Sequence, residues 1–259
     1  MTSTAERATT LLALHTDPTL LAVVNVWDVA SARVVADSPG TTALATASHS
    51  IAAMYGYEDG EHIPRDLMLE AVGRVVDAVD LPVTADLEAG YGDAADTCRR
   101  AIGIGVVGAN IEDQMRPVAE ATAAVAAVMR AAEDEGVPDF VLNARTDAFL
   151  RAGDRDPHDV LADAIERGRT FLDAGAPVVF VPGRLAEEQV VALVDAFGRQ
   201  RLTMLPVPGA PSLARLEELG VARCSFGPFP QRVALTALQK MVEGVARGEG
   251  IPEGTRLLT

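Results

Sequence analysis

A closed (β/α)₈ barrel is the fold this sequence predicts, and three observations lead there. Eight short apolar runs recur along the chain. Longer segments with helical apolar spacing separate them. The length, 259 residues, suits one such barrel and supports reading residues 1–259 as one domain.

The strands are expected at Ala22 to Val26, Thr42 to Thr46, Val83 to Leu87, Val107 to Ile111, Phe140 to Asn143, Val178 to Val181, Leu202 to Leu205 and Ala222 to Phe226. Hydrophobic residues make up 49% of the chain but aromatics only 4%, so Val, Leu, Ile and Ala must build the core. That is the composition of buried parallel strands.

Between the strands, Leu69, Val72, Val76 and Val79 repeat every three or four residues. So do Val118, Ala121, Val125, Val128 and Ala132, with Pro117 at the first helical position. Asp156-Pro157 reads as an N-cap and first turn, and Leu161, Ile165, Gly168 and Leu172 continue that helix to Gly175. Val190, Leu193, Val194 and Phe197 form another, closed by Gly198. Thr4 to His15 is an extra amino-terminal helix, and Pro228 to Arg247 is the last barrel helix. The tail beyond it either caps the base or reaches a neighbouring subunit. Strand and helix in alternation imply parallel pairing with right-handed crossovers.

The formal net charge of −15 disfavours binding to nucleic acid. It also means that an anionic substrate needs a local cation. Cys98 and Cys224 have no zinc or redox spacing. No signal peptide and no apolar run of about 18 residues is evident, so a cytoplasmic protein without a membrane partner is expected.

In a barrel the residues that follow each strand gather at one face. Here they are Trp27-Asp28, Thr46-Ala47-Ser48-His49-Ser50, Asp86 and Glu88, Glu112-Asp113-Gln114, and Arg145-Thr146-Asp147. Six acids with one arginine call for a hard divalent cation bound through oxygen, Mg²⁺ or its substitute Mn²⁺. Asp86 and Glu88 lie two apart on a strand and should point the same way, with Glu112 facing them from the next strand. Arg145 reads as a clamp for a carboxylate or phosphonate, or as the partner of Asp147 or Glu112. His49, among four histidines without ligand spacing, is a candidate acid or base; Tyr55 and Tyr57 are other proton donors. The Ala89-Gly90-Tyr91-Gly92 run reads as a loop closing over the site or as a turn before the next helix. The run from Gly103 to Gly108 matches G-x-G-x-x-G but follows a helix and opens a strand, so it is a helix stop and not a dinucleotide site.

Several segments, in order, resemble the isocitrate lyase/phosphoenolpyruvate mutase superfamily. They are Asn25-Val-Trp-Asp28-Val-Ala-Ser-Ala-Arg33, Thr46-Ala-Ser48, Gly56-Tyr-Glu-Asp59-Gly60, Ala85-Asp86-Leu-Glu88-Ala-Gly90-Tyr91-Gly92, Asn110-Ile-Glu112-Asp113-Gln114 and Asn143-Ala-Arg145-Thr-Asp147. Val179-Phe-Val-Pro-Gly183 and Leu219-Gly-Val-Ala-Arg223 are similar to segments of its short bacterial members, among them oxaloacetate decarboxylases and proteins of the 2,3-dimethylmalate lyase type. The resemblance implies a barrel with Mg²⁺ at its mouth, in a homo-oligomer, a dimer or a tetramer, whose paired subunits exchange their last helix. It implies Asp86 as direct metal ligand, Glu88 and Glu112 holding the metal, often through water, and Asp59 near metal and substrate. Arg145, with the Thr46-Ala47-Ser48 turn, would hold the substrate carboxylate.

This sequence also departs from the family. The lyase loop that carries a catalytic Cys is missing after the fourth strand, where Asp113-Gln-Met-Arg-Pro-Val118 runs straight on. The Lys of the mutases and phosphonopyruvate hydrolases is missing too. Pro182 stands where lyases often have Glu, and Thr203 where short relatives often have Asn. The expectation is therefore a Mg²⁺-dependent lyase or decarboxylase that takes a small 2-oxo or 2-hydroxy (di)carboxylic acid through an enolate. Cleavage of a phosphonate C–P bond, or a barrel that binds without catalysing, are the alternatives.

Overall fold

The computed structural model describes residues 2–256 and 258. Its strands are β1 (Leu21–Val23), β2 (Asn25–Val26), β3 (Leu44–Thr46), β4 (Val83–Asp86), β5 (Gly108–Glu112), β6 (Val141–Arg145), β7 (Val178–Phe180), β8 (Leu202–Met204) and β9 (Arg223–Ser225). All pair in parallel, in the order β1-β9-β8-β7-β6-β5-β4-β3-β2. The two ends of that order, β1 and β2, are separated by Val24 alone, whose carbonyl still accepts from Ala45 N. They are one interrupted strand, so the nine segments are eight barrel strands and the sheet closes on itself. Each observed strand overlaps its expected run.

The helices are α1 (Thr4–Thr16), α2 (Val29–Ala36), α3 (Ser48–Met54), α4 (Arg65–Asp77), α5 (Ala94–Gly103), α6 (Val118–Asp134), α7 (Pro157–Asp173), α8 (Glu187–Phe197), α9 (Leu213–Leu219) and α10 (Phe229–Ala246). Local chemistry sets their ends. Asp156 caps α7 by accepting from His158 N, with Pro157 in the first turn. Gly175 and Gly198 follow α7 and α8 with positive φ. Gly103 ends α5 and Gly108 opens β5, as the reading of that glycine run requires. Several expected boundaries shift by a residue or two, among them those of α6 and α4. Pro117 is the N-cap of α6 and not its first residue. Val79 lies past the end of α4 and packs on the core from the following turn.

Val, Leu, Ile and Ala dominate the buried core. Fully burying one Val or Leu contributes roughly 1.5–3 kcal/mol. Helix α1 closes the amino-terminal base of the barrel: Thr9 Oγ1 donates to Asp139 just before β6. At Gly108, the first residue of β5, a Cβ would sit 3.0 Å from Leu11 Cδ2 and 2.8 Å from Val141 O, so glycine allows α1 to seat. Helix α10 behaves differently. Val233, Leu235, Leu238, Val242 and Val245 are each more than half exposed, and its first turn is pinned where Gln231 Nε2 donates to Ser50 O at 3.0 Å. Among the described residues no helix is long and apolar enough to cross a membrane.

Candidate active site

The carboxyl ends of the strands form a cavity of about 280 Å³, lined among others by Asn25, Ser48, His49, Asp59, Asp86 and Arg145. A second pocket beside it shares Ser48, Asp59 and Arg145 and adds Glu88, Glu112 and Asp147. The acids expected to converge from three separate strand ends therefore do so.

Asp86, the last residue of β4, is held on both oxygens. Oδ2 accepts from Ser48 Oγ at 2.8 Å and Ser48 N at 3.2 Å, and Oδ1 receives a long bond from Asn110 Nδ2 at 3.5 Å. Thr46 is fully buried and its hydroxyl accepts from Asp86 N at 3.1 Å. Its hydroxyl thus serves Asp86. Ala47 and Ser48 form the rest of the turn on the cavity wall, Ala47 being the N-cap of α3. Behind Asp86, Asn110 Oδ1 accepts from Asn143 Nδ2 at 2.7 Å, and Asn143 Oδ1 accepts from Thr203 Oγ1 at 2.6 Å. This buried relay from β8 to β4 fixes the amide orientations beneath Asp86. Thr203 thus supplies a hydroxyl donor to the relay.

Glu88 reaches the site by another route than expected. The strand ends at Asp86, and Glu88 has φ +54°, in the left-handed region. The alternation of a strand does not carry that far; a turn aims the side chain instead. Its carboxylate accepts from Tyr91 OH at 2.9 Å and from Glu61 N. The Ala89-Gly90-Tyr91-Gly92 run is an ordered turn leading into α5. At Gly90 a Cβ would fall 2.4 Å from Ala94 Cα, and Thr97 Oγ1 donates to Gly90 O at 2.7 Å. The run buttresses Glu88.

Arg145, at the end of β6, meets both proposed carboxylate partners: Nη1 lies 2.9 Å from Glu112 Oε2 and Nε 2.8 Å from Asp147 Oδ1. Nη2 is outside these bonds. The pairing that was an alternative to the clamp is present, and it orients the guanidinium at the cavity wall. Asp59 lies in the loop before α4, with Oδ1 3.5 Å from Ser48 Oγ and Oδ2 3.6 Å from His49 Nδ1. Both Asp59 and His49 are about half exposed, at the mouth. Tyr55 and Tyr57 are exposed.

Two of the six acids belong to the scaffold. Asp28 caps α2, accepting from Ser31 N at 2.7 Å. Asp113 is buried and accepts from Asp147 N, Met115 N and Arg167 Nη1 at 3.0–3.1 Å. Sequence position alone did not separate these from the functional acids; their local partners do.

The electrostatics mark Glu88 and Glu112. Burial pushes the Glu88 carboxyl up to about 7, and the charges of Asp86 and Asp59 push the same way. Burial likewise pushes Glu112 up to about 7; Arg145 pulls it down, while Asp147, Asp86 and Glu88 oppose that pull. Carboxylates this mutually repulsive suit a cation. Among the described residues no three His, Cys, Asp or Glu side chains come close enough to form a direct cluster. The carboxylate oxygens of Asp86, Glu88 and Glu112 are nevertheless the donor type that suits a hard cation such as Mg²⁺. Deeper in the barrel Arg223 is buried with all three guanidinium nitrogens unpartnered, and burial pulls it down to about 10 although Asp86 raises it. Sequence reasoning did not single it out as an ionisable group.

The family model described as phosphoenolpyruvate phosphomutase matches residues 11–246. A solved structure from Burkholderia cenocepacia J2315, described as a phosphonomutase, is 41% identical with a TM-score of 0.86, covering 93% of this chain and 99% of that one. The structure of 2,3-dimethylmalate lyase, a PEP mutase/isocitrate lyase superfamily member, is 26% identical with a TM-score of 0.83, covering 98% and 91%. The 2-methylisocitrate lyase of Shewanella oneidensis is 32% identical over 212 residues, 76% of this chain and 70% of the relative. Fold, site and similarity agree: the chain belongs to the phosphoenolpyruvate mutase/isocitrate lyase superfamily, whose named relatives here are lyases and a mutase.

Proposed function

We propose that this protein is a Mg²⁺-dependent lyase that decarboxylates or cleaves a small 2-oxo or 2-hydroxy (di)carboxylic acid. The observation that carries this reading is the meeting of Asp86, Glu88 and Glu112 with Arg145 at the barrel mouth, where two of the acids are pushed up to about 7 by burial and mutual repulsion. Asp86 would hold the metal directly, with Glu88 and Glu112 reaching it through water. When bound, the ion supplies Lewis-acid stabilisation of the oxygen that gains charge as an enolate forms.

The chain's own residues do the rest. Arg145, oriented by Glu112 and Asp147, offers a guanidinium to the substrate carboxylate. The Ala47-Ser48 turn lines the same cavity and bounds the other side of that group by shape, since Ser48 N and Oγ donate to Asp86 and Ala47 N to Val26 O. The choice between reactions rests on the link from β5 to α6. It consists of residues 113–117 alone, with Gln114 and Met115 in left-handed turns and Asp113 locked by Arg167. It contains no side chain of the Cys or Lys type. Loss of CO₂ requires no acid to protonate a leaving group; only the enolate must be protonated afterwards. His49, on the cavity wall beside Asp59, would deliver that proton in preference to Tyr55 and Tyr57, which are exposed and outside the cavity lining. Decarboxylation therefore fits better than a cleavage that needs an acid at the departing fragment, and the missing Lys of the mutases argues separately against C–P chemistry.

The exposed apolar side of α10 supports a homo-oligomer in which that helix packs on a partner subunit. The test of function is Mg²⁺-dependent release of CO₂ or pyruvate across a panel of oxo- and hydroxy-diacids, with phosphonopyruvate included. Activity on a 2-oxo diacid that EDTA abolishes is expected. Turnover of phosphonopyruvate alone, or of none of them, would overturn this reading.

A further inference from the structure

Arg223 opens β9 and is 1% exposed. Ser225, two residues further along the same strand, lines the cavity, and side chains two apart on a strand share a face. Arg223 therefore points into the barrel, one layer below the cavity floor. Its register partner on β8 is Thr203, where the relay to Asp86 begins; on the other side it pairs with Leu21 of β1. Neither accepts a hydrogen bond from it. Among the described residues its Nε, Nη1 and Nη2 are all without a partner. From the base of the barrel α1 brings His15, which is fully buried and whose Nδ1 donates to Leu11 O at 2.8 Å. Burial and the charge of Arg223 push His15 down to about 3, so it stays neutral and supplies no counter-charge.

A buried guanidinium without acceptors destabilises the fold and holds no neighbour in place. Its charge, however, reaches the mouth. Burial pulls Arg223 down to about 10, which leaves it protonated at neutral pH, and Asp86 is the carboxylate that opposes that pull. The two pockets at the mouth carry the carboxylates of Asp59, Asp86, Glu88, Glu112 and Asp147. An anion arriving there meets repulsion from all of them, and a fixed cation in the layer beneath offsets part of it.

We infer that Arg223 is a positioning residue that acts through its charge: from beneath Asp86 it weakens the hold of the carboxylates on a cation and strengthens the hold of the mouth on an anionic substrate. This rests on the proposal that metal and substrate meet at the mouth.

The test uses the full-length protein with Arg223→Met and Arg223→Gln. Both remove the charge; only Gln keeps hydrogen-bonding capacity. The readouts are the Tm in EDTA, the Mn²⁺ affinity by electron paramagnetic resonance and the oxalate affinity of the Mn²⁺-loaded protein by calorimetry. Both variants should bind Mn²⁺ more tightly and oxalate more weakly than wild type. Each shift should be on the order of tenfold, the scale of two unit charges about 10 Å apart at an effective dielectric constant of about 20. Arg223→Met should melt no lower than wild type in EDTA. Affinities that move together or stay put, or an Arg223→Gln variant that keeps the wild-type values, overturn the inference. So does an Arg223→Met protein that melts lower or fails to fold, because the arginine would then be holding structure together. A wild type that takes up no Mn²⁺ overturns the metal-site reading, and this inference with it.

Discussion

Replacing Glu88 by Gln should stabilise the metal-free protein at alkaline pH, which is the reverse of what removing a hydrogen-bonded carboxylate ordinarily does. Glu88 is 4% exposed, and burial pushes its carboxyl from 4.5 to about 7. Below pH 4.5 folded and unfolded chains both hold the proton. Between 4.5 and about 7 the unfolded chain releases it and the folded chain keeps it, so stability falls as pH rises. Above about 7 the folded carboxylate is ionised and the loss is complete. A displacement from 4.5 to about 7 corresponds to roughly 3 kcal/mol as an upper bound. Gln matches the neutral acid: its oxygen can accept from Glu61 N and its amide donate to the Tyr91 oxygen once that hydroxyl turns. With EDTA present, Glu88→Gln should be more stable than wild type by about 1–3 kcal/mol at pH 8, and the two should converge near pH 4.5. At roughly 2–4 °C per kcal/mol for a chain of this size, the difference is a Tm rise of several degrees, readable by thermal denaturation at both pH values. Added Mg²⁺ should raise the Tm of the wild type more than that of the variant. A variant less stable than wild type at pH 8 in EDTA, or equally shifted at both pH values, refutes the electrostatic account of the site.

Other outcomes follow from the same geometry. Asp113→Ala should cost about 3 kcal/mol, because Asp147 N, Met115 N and one arm of Arg167 lose their shared buried acceptor although Arg167 keeps Asp163 at 2.8 Å, while Mg²⁺ affinity is retained in the folded protein; denaturation and calorimetry check the two halves. Because Glu88 and Glu112 are pushed up to about 7, Mg²⁺ must compete with protons, and its affinity should fall steadily as pH drops below about 7 in calorimetric titrations. Leu235→Asp with Leu238→Asp, both on the exposed side of α10, should shift the mass measured by light scattering towards the monomer without unfolding the barrel; an unchanged mass would remove α10 from the interface.

The barrel was legible because its strands are short, apolar and bounded by turn residues, and because helices with one apolar side separate them. The location of the site was legible for the same reason, since strand ends must share one face. Asp86, Glu112 and Arg145 each end a strand and reach the mouth, as their position at the end of an apolar run implies. Glu88 lies beyond its strand, which stops two residues earlier, and a left-handed turn decides where the side chain goes. Asp28 and Asp113 resemble site acids in sequence, but a capped amide and a buried arginine claim them, and such partners lie 3 to 54 residues away. Asn110 and Asn143 left a readable sign, as polar residues inside apolar strands two positions before Glu112 and Arg145. Arg232, in the first turn of α10, also lines the cavity and left none: in sequence it is one more charge on an amphipathic helix.

The most direct test of the account is a titration of the metal-free protein with Mn²⁺, followed by electron paramagnetic resonance. The wild type should take up the ion with Mg²⁺ competing for the same site, and Asp86→Asn should weaken that uptake by more than the roughly 10–100-fold typical of an outer-shell partner. Uptake unaffected by Asp86→Asn, or a wild type that takes up no ion at all, would contradict the claim that these carboxylates gather around a metal.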